Sequence, residues 1–389
     1  LKLSVQAKVS EKTNRRKLLL LEELYSKYQV ALRLFYNYAK DNRVHELRKR
    51  TLIEKELQKL YYTVKESLNL SSQLVQSARR DVVDDIMSWL KVGGEFPRLS
   101  EKPPTLVYNR SYRLFEQGKE FRYWAKICGV SYPLELGDRQ LELIKKAERI
   151  GEAKLVKRDG EWYLYISVEV KEPEQIRSNG VLGVDLGLRN SAVITASRPK
   201  FIKHRRLLYK VTQYWKQIDK LKSKLPKGQR SSKRIRRLWR KIDRINNFIA
   251  HDTSAKIVKL AVQKQYAIAL ERLKNLPTNG CNREWSRRLS NWIRRKTIKY
   301  IEYKARLNGV AIIKVNPAYS SRVCHFCGGK GERLSSRFRC KVCGREYDAD
   351  YNASVNIARR AKSLPAGLSN PARRGLRDEP TKLPTLVVE

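Results

Sequence analysis

The sequence predicts a multidomain α/β protein, and three observations carry that prediction. Segments that alternate apolar and polar residues bracket a long helical region in the first half of the chain. From Val181 onward, apolar strands and basic helices take turns. Four of the six cysteines then fall within the twenty residues 324–343, a cluster that reads as a metal-bound module.

The first strand is LKLSVQAKV (1–9), whose apolar residues recur at every second position. A helical region covers roughly 14–92. Leu20, Leu24, Tyr28, Ala31, Leu34, Phe35 and Tyr38 recur at helical spacing, and Val64, Leu68, Leu74, Val75 and Ala78 suggest a further helix. Gly93, Gly94 and Pro97 close that stretch. Strand patterning returns over 95–172 and is clearest in GEWYLYISVEV (160–170). Residues 1–10 and 95–172 are therefore read as one β domain, a barrel, with the helices 11–94 inserted after its first strand. Residues 173–179 are polar, contain a proline and read as a linker.

In the second half, VLGVDLG and SAVITAS read as a hairpin with a glycine in its turn. Residues 203–265 are helical and very basic, and 227–244 hold nine Lys or Arg in eighteen positions. YAIALERL (266–273) is an apolar strand, 284–307 a helix and VAIIKV (310–315) another strand. A cysteine module fills 320–347, and a helix of small residues covers about 350–362. The proline-containing tail 363–389 reads as disordered.

The charge balance points to a partner class. The 389-residue chain has 84 Lys and Arg against 39 Asp and Glu, a formal net charge of +45. With 41% apolar residues it is no disordered polycation, so the excess predicts a polyanion partner, nucleic acid. No apolar run reaches the roughly 18 residues of a spanning helix, so a membrane is not expected and the cytoplasm is the expected location.

CHFCGGKGERLSSRFRCKVC places Cys324, Cys327, Cys340 and Cys343 in a C-x2-C-x12-C-x2-C pattern. A glycine follows each pair, at Gly328 and Gly344, and makes a tight knuckle that turns two thiolates to one point. Two knuckles supply the four sulfurs of a structural Zn²⁺ site with no open position for chemistry. His325 lies inside the first knuckle and reads as a bystander.

Three acids stand out against the basic background. Asp185 and Glu271 close apolar strands, and Asp350 lies at the start of the helix in YDADYNASVNIARRA. Ala353, Ser354, Ile357, Ala358 and Ala361 follow Asp350 at helical steps, a narrow face that lets the helix lie close on a sheet. Taken singly, Asp185 could be a turn former, Glu271 an ion-pair partner of Arg272, and Asp350 a helix cap. Together, two strand acids and one helix-start acid suit a pair of Mg²⁺ ions, which prefer carboxylate oxygen and act on phosphodiesters.

GVDLG, the strand ending in Glu271, the two knuckles and D-x-N-A-x-x-N-I (350–357), in that order, resemble the RuvC-like nuclease half of the TnpB proteins. These are transposon-encoded, RNA-guided DNA endonucleases related to type V CRISPR effectors. WIRRKTIKYIEYKARLNGVAIIKVNPAYSSRVCHFCG (292–328) is similar to the family's lead into its zinc module. The resemblance is close over roughly 180–362 and architectural only before residue 173. It implies an RNase H-like (RuvC) domain over 180–319 and 348–362, interrupted by the basic helical insertion 203–265 and a zinc ribbon over 320–347. It also implies a wedge-type β-barrel (1–10 and 95–172) carrying a helical recognition lobe (11–94). Asp185, Glu271 and Asp350 become the catalytic Mg²⁺ ligands, with Asp348 the alternative to Asp350. Lys233, Arg234, Arg236, Arg237 and Arg240 would line a channel for nucleic acid. The implied partners are a transposon-derived guide RNA and double-stranded target DNA read beside a short flanking motif, with the number of chains per RNA left open. Cleavage-free RNA-guided DNA binding and a guide-independent RuvC-like nuclease are the alternatives. Arg272 departs from the family, where an acid commonly follows the catalytic Glu.

Overall fold

The computed structural model describes residues 1–94, 96–118, 121–187, 190–195, 198–226, 228–229, 231–272, 292–363 and 387–388. Cys281, the segment 274–284, the start of the helix expected over 284–307 and most of the tail lie outside the described residues. The chain divides into two compact units, 1–171 with 381–389, and 172–380.

The first unit opens with β1 (Lys2–Val9) and then turns helical: α1 (Arg15–Asp41), α2 (Arg50–Gln58), α3 (Tyr61–Leu68) and α4 (Ser72–Val92). The buried face of α1 is Leu21, Tyr28, Ala31, Leu32, Phe35 and Ala39. Leu20 and Leu34, expected inside, are 45% and 38% exposed. The run of four leucines at 18–21 conceals which of them turns inward, and it is Leu21; further along, the expected Tyr28, Ala31 and Phe35 are on the buried face. Val64 and Leu68 lie on α3, not on the helix of Leu74, because Asn69 adopts a left-handed conformation between the two. Gly93 and Gly94 have positive φ and end α4 as expected.

The remaining strands of this unit are β2 (Thr105–Leu106), β3 (Tyr112–Glu116), β4 (Tyr123–Ile127), β5 (Val130–Glu135), β6 (Ala147–Arg158) and β7 (Glu161–Val170). They pair in the order β2-β6-β7-β1-β5-β4-β3. The two edge strands, β2 and β3, are joined by the turn at 107–111, and the Tyr112 hydroxyl of β3 donates to the Gly151 carbonyl of β6 at 2.6 Å. Register shifts in β6 around Gly151 bend that strand. The sheet is thus nearly closed. One element was missed: α5 (Asp138–Lys145) interrupts a region expected to be all strand. Val387 and Val388, in the tail expected to be disordered, pair in parallel with Ser4 and Val5.

The second unit is built on β8 (Gly180–Asp185), β9 (Ala192–Thr195), β10 (Lys200–Ile202), β11 (Tyr266–Glu271) and β12 (Ile312–Val315). Their order is β10-β9-β8-β11-β12, antiparallel on the β9 side of β8 and parallel on the β11 side. The basic region expected to be helical from 203 is two helices, α6 (Arg205–Lys222) and α7 (Lys233–Lys264). α8 (Trp292–Leu307) follows the undescribed segment. Strands β13 (Gly331–Leu334), β14 (Arg337–Cys340) and β15 (Glu346–Asp348) form the cysteine module, and α9 (Ala349–Lys362) follows it directly.

Strand alternation assigns the two faces of this sheet. Leu182, Val184, Ile268 and Leu270 pack with Ile257 and Ala261 of α7 and Ile301 and Ala305 of α8. The intervening Val181, Ala267 and Ala269 pack with Ile357 and Ala361 of α9. The small residues of α9 let it lie directly on β8 at Gly183. A Cβ there would stand 2.0 Å from the Ser354 carbonyl oxygen and 2.7 Å from the Ala358 nitrogen. No helix among the described residues is long and apolar enough to cross a membrane.

Gly183→Ala forces this helix off the sheet. The expected result is a loss of about 1–3 kcal/mol, the usual range for overpacking, read as a lowered urea midpoint for the second unit.

Candidate active site and metal centre

The last parallel pair of β8 and β11 is Val184 with Leu270. The next residues, Asp185 and Glu271, therefore end their strands side by side. By the same alternation both lie on the α9 face. Asp350 sits in the first turn of α9 and is 6% exposed. The capping role belongs to Asp348, whose Oδ1 accepts the amide N–H of Asp350 at 3.0 Å and of Tyr351 at 3.1 Å. This removes the helix-cap explanation for Asp350 and leaves its carboxylate to other partners.

Those partners come from two directions. Asn190 Nδ2, in the loop after β8, donates to Asp350 Oδ2 at 2.9 Å. Arg333 of β13 pairs with Oδ1 at 2.7 Å. The Ser320 hydroxyl donates to Glu271 Oε1. Asp185 is half-buried as a residue, and its carboxyl is pushed up to about 7. Loss of solvent to the surrounding protein is the largest cause, followed by the negative charges of Asp350 and Glu271, with Arg294 and Arg333 pulling the other way. Asp185 thus feels the charge of both other acids. An all-oxygen donor set with this mutual repulsion suits a hard divalent cation.

Asn190, Ser320 and Arg333 went unnoticed in the sequence. Asn190 follows Asp185 by five residues in GVDLGLRN, which is a usable signal. Arg333 belongs to a strand whose sequence position says nothing of its contact with Asp350.

The four cysteines converge as expected. Their sulfurs all lie within 4.8 Å of one another, with Cys324–Cys343 at 3.8 Å and Cys327–Cys340 at 3.5 Å. A tetrahedron of Zn–S bonds has S···S edges of about 3.8 Å, so the cluster fits a zinc ion. Gly328 and Gly344 have φ of 76° and 70°, and their N–H groups return to the carbonyls of Cys324 and Cys340, which shapes each knuckle. The N–H groups of Cys343 and Val342 donate to Cys340 Sγ and lower that thiol to about 6, towards the thiolate a metal needs. His325 is engaged by Asn352 and packs on Tyr347 and Tyr351.

The two asparagines of the D-x-N-A-x-x-N-I motif have a structural task. Asn352 Nδ2 donates to the Val323 carbonyl and its Oδ1 accepts the His325 N–H. Asn356 Nδ2 donates to the carbonyls of Ser320 and Val323. Both are buried. They fasten the first knuckle to α9, and Ser320 continues that link to Glu271.

Lys233, Arg234, Arg236, Arg237 and Arg240 are all exposed on the first turns of α7. The opposite side of the helix buries Ile235, Leu238 and Ile242 against Val211 and Ile218 of α6. The structure brings these five together as a basic face, and it ends β8 and β11 side by side on Asp185 and Glu271, with Asp185 in the field of both Glu271 and Asp350. No contact described joins the two groups.

Comparison with known proteins fits this arrangement. A family model described as "Probable transposase" matches residues 165–273, which include Asp185 and Glu271. A second, "Cas12f1-like, TNB domain", matches 295–357, which include the four cysteines and Asp350. A TnpB-like protein of Aquifex aeolicus is 30% identical over 230 residues, 52% of this chain and 75% of the relative. InsQ of Escherichia coli is 29% identical over 341 residues, 80% of each chain. The CRISPR-associated endodeoxyribonuclease Cas12f1 of Sulfoacidibacillus thermotolerans is 30% identical over 219 residues, and the match spans only half of that longer protein. In fold, the chain is similar to the protein of a Cas12f1–sgRNA–target DNA complex, with a TM-score of 0.56 at 17% identity over 89% of this chain and 83% of the other. It is also similar to the mini-RNA-guided endonuclease CRISPR-Cas_phi3, with a TM-score of 0.53 at 11% identity over 93% and 92%. The class so defined joins a nearly closed sheet, an acid-bearing α/β sheet and a four-cysteine module in one multidomain α/β chain. Within that class, this chain belongs to the TnpB family.

Cys324→Ser is expected to release zinc, measured by metal content, and to expose 320–347 to limited proteolysis. The Asp185 carboxyl gives a pH-dependent outcome. Its folded value lies above its unfolded one, so its contribution to stability is fully present below about pH 4 and is lost as pH rises through about 7. Without added divalent cation, thermal melts should show Asp185→Asn gaining on the parent as pH rises from 5 to 8.

Proposed function

We propose that this chain is an RNA-guided DNA endonuclease, and that its second unit is a RuvC-like nuclease domain with an inserted zinc ribbon. The observation that carries the reading is the alignment of Asp185 and Glu271 on one face of adjacent parallel strands, with the buried Asp350 held beside them by Asn190. Relatives named as endodeoxyribonucleases support the reaction class.

Asp185, Glu271 and Asp350 would hold the Mg²⁺ ions. In such a site the pair of ions supplies a nucleophile from water and stabilises the leaving oxygen of a phosphodiester. The chain's own residues do the rest. Burial of Asp185 among like charges favours a cation over a proton as pH rises. Ser320 steadies the Glu271 carboxylate by a hydrogen bond to Oε1. Arg333, paired with Asp350, would be a positive group available to a phosphate at this site.

The first unit is read as a wedge-type barrel with a helical recognition lobe, the part that would hold a transposon-derived guide RNA and a short duplex motif. The exposed Lys233, Arg234, Arg236, Arg237 and Arg240 would contact phosphates of the guide–target duplex. Such contacts give affinity and steep salt dependence, with sequence read by base pairing.

Asp185→Ala should abolish Mg²⁺-dependent cutting of a plasmid that matches the co-purified RNA, and leave the yield of that RNA unchanged. Cutting at the parental rate would refute the reading.

A further inference from the structure

Behind Asp350 lies a chain of side chains that the proposed reaction does not use. Asn190 is 3% exposed, and its Nδ2 donates to Asp350 Oδ2 at 2.9 Å. Its Oδ1 is buried and has no partner among the described residues. The Gly187 backbone makes room for this pair: a Cβ there would meet the Asn190 carbonyl at 2.9 Å and Asp350 Oδ2 at 3.5 Å. The next residue, Ser191, is pinned twice. Its N–H donates to the Ile202 carbonyl at 2.8 Å, and its hydroxyl is hydrogen-bonded to His204 Nδ1 at 2.8 Å. The other ring nitrogen of His204 meets Asp252 Oδ2 of α7 at 2.9 Å, and Lys256 pairs with the same carboxylate at 2.6 Å. The His204 side chain is 7% exposed.

We propose that Asn190 is a positioning residue for the Asp350 carboxylate, and that the Ser191–His204–Asp252 relay holds Asn190 in place from the α6–α7 helical pair. The inference rests on the metal-site reading given above. Its physical basis is rotamer control. A carboxylate at a helix start can swing about its Cα–Cβ bond; the buried amide on Oδ2 restrains it, while the partly exposed Arg333 holds Oδ1, the oxygen a metal would take over. Groups that orient a ligand in this way cost about 10- to 100-fold in metal affinity when removed. A Ser–His–Asp set invites a hydrolase reading, but Ser191 is spent on anchoring the strand at the acid centre, and that is the task its two bonds describe.

The test is calorimetric titration of the full chain with Mg²⁺ at pH 8, paired with melting curves taken without Mg²⁺. Asn190→Ala should weaken Mg²⁺ binding by about 10- to 100-fold with little change in the Mg²⁺-free melt. Ser191→Ala should move the affinity the same way by less, and Ser191→Thr, which keeps the hydroxyl, should restore it. Asp185→Ala serves as the reference for the site itself. If Asp185→Ala loses Mg²⁺ binding while Asn190→Ala and Ser191→Ala bind as the parent does, the relay is overturned and the metal site stands. If Asp185→Ala itself binds Mg²⁺ like the parent, the metal-site reading falls and the relay's role with it. Should Asn190→Ala fail to fold, the Ser191 pair decides, since Ser191 is only half-buried.

Discussion

The arrangement of the second unit depends on the absence of a single methyl group. α9 lies so close to β8 that a Cβ at Gly183 would collide with the helix backbone at Ser354 and Ala358. Backbone-to-backbone contact of this kind fixes the height and azimuth of the helix far better than side-chain packing does. It brings the first turn of α9, and Asp350 with it, down to the ends of β8 and β11. A bulkier residue at 183 would push the helix away from β8 and carry Asp350 away from the strand ends that bear Asp185 and Glu271.

A second constraint fastens the cysteine module to the same helix. Asn352 and Asn356 hold the carbonyls of Ser320 and Val323, and Ser320 in turn holds Glu271. Arg333 reaches from β13 to Asp350. The module is therefore more than a folded bead on the surface. Its hydrogen bonds end on two of the three acids, so its integrity and the geometry of the acid centre are mechanically coupled.

Much of this was legible in the sequence, for physical reasons that differ by element. Short apolar runs that end in an acid made β8 and β11 visible, and the pairing register of the structure then settled which face their terminal acids share. The cysteine spacing and its glycines foretold the knuckles because few other chemistries need thiols at that interval. The small face of α9 announced close packing. The sequence was silent where a contact is made across long separations by residues of common type. Arg333 and Ser320 look like any surface arginine and serine until the fold is known. The start of α1 was misread because four consecutive leucines offer several equivalent stripes, and α5 was missed because it is only eight residues long within a strand-rich region. Asp348 and Asp350 were hard to rank because both begin the helix, and only the cap hydrogen bonds separate them.

The acid centre is drawn from three points of the chain that are far apart, 185, 271 and 350, with the cysteine module between the last two. Chains emerge from the ribosome N-terminus first, and contacts of such long sequence separation form late. The helical pair α6–α7, with its exposed basic turns, can fold while residue 350 is still unmade. In a growing molecule the residues of the positively charged helices therefore exist before the acidic set is complete, and the order of synthesis sets the earliest moment at which the three carboxylates can meet.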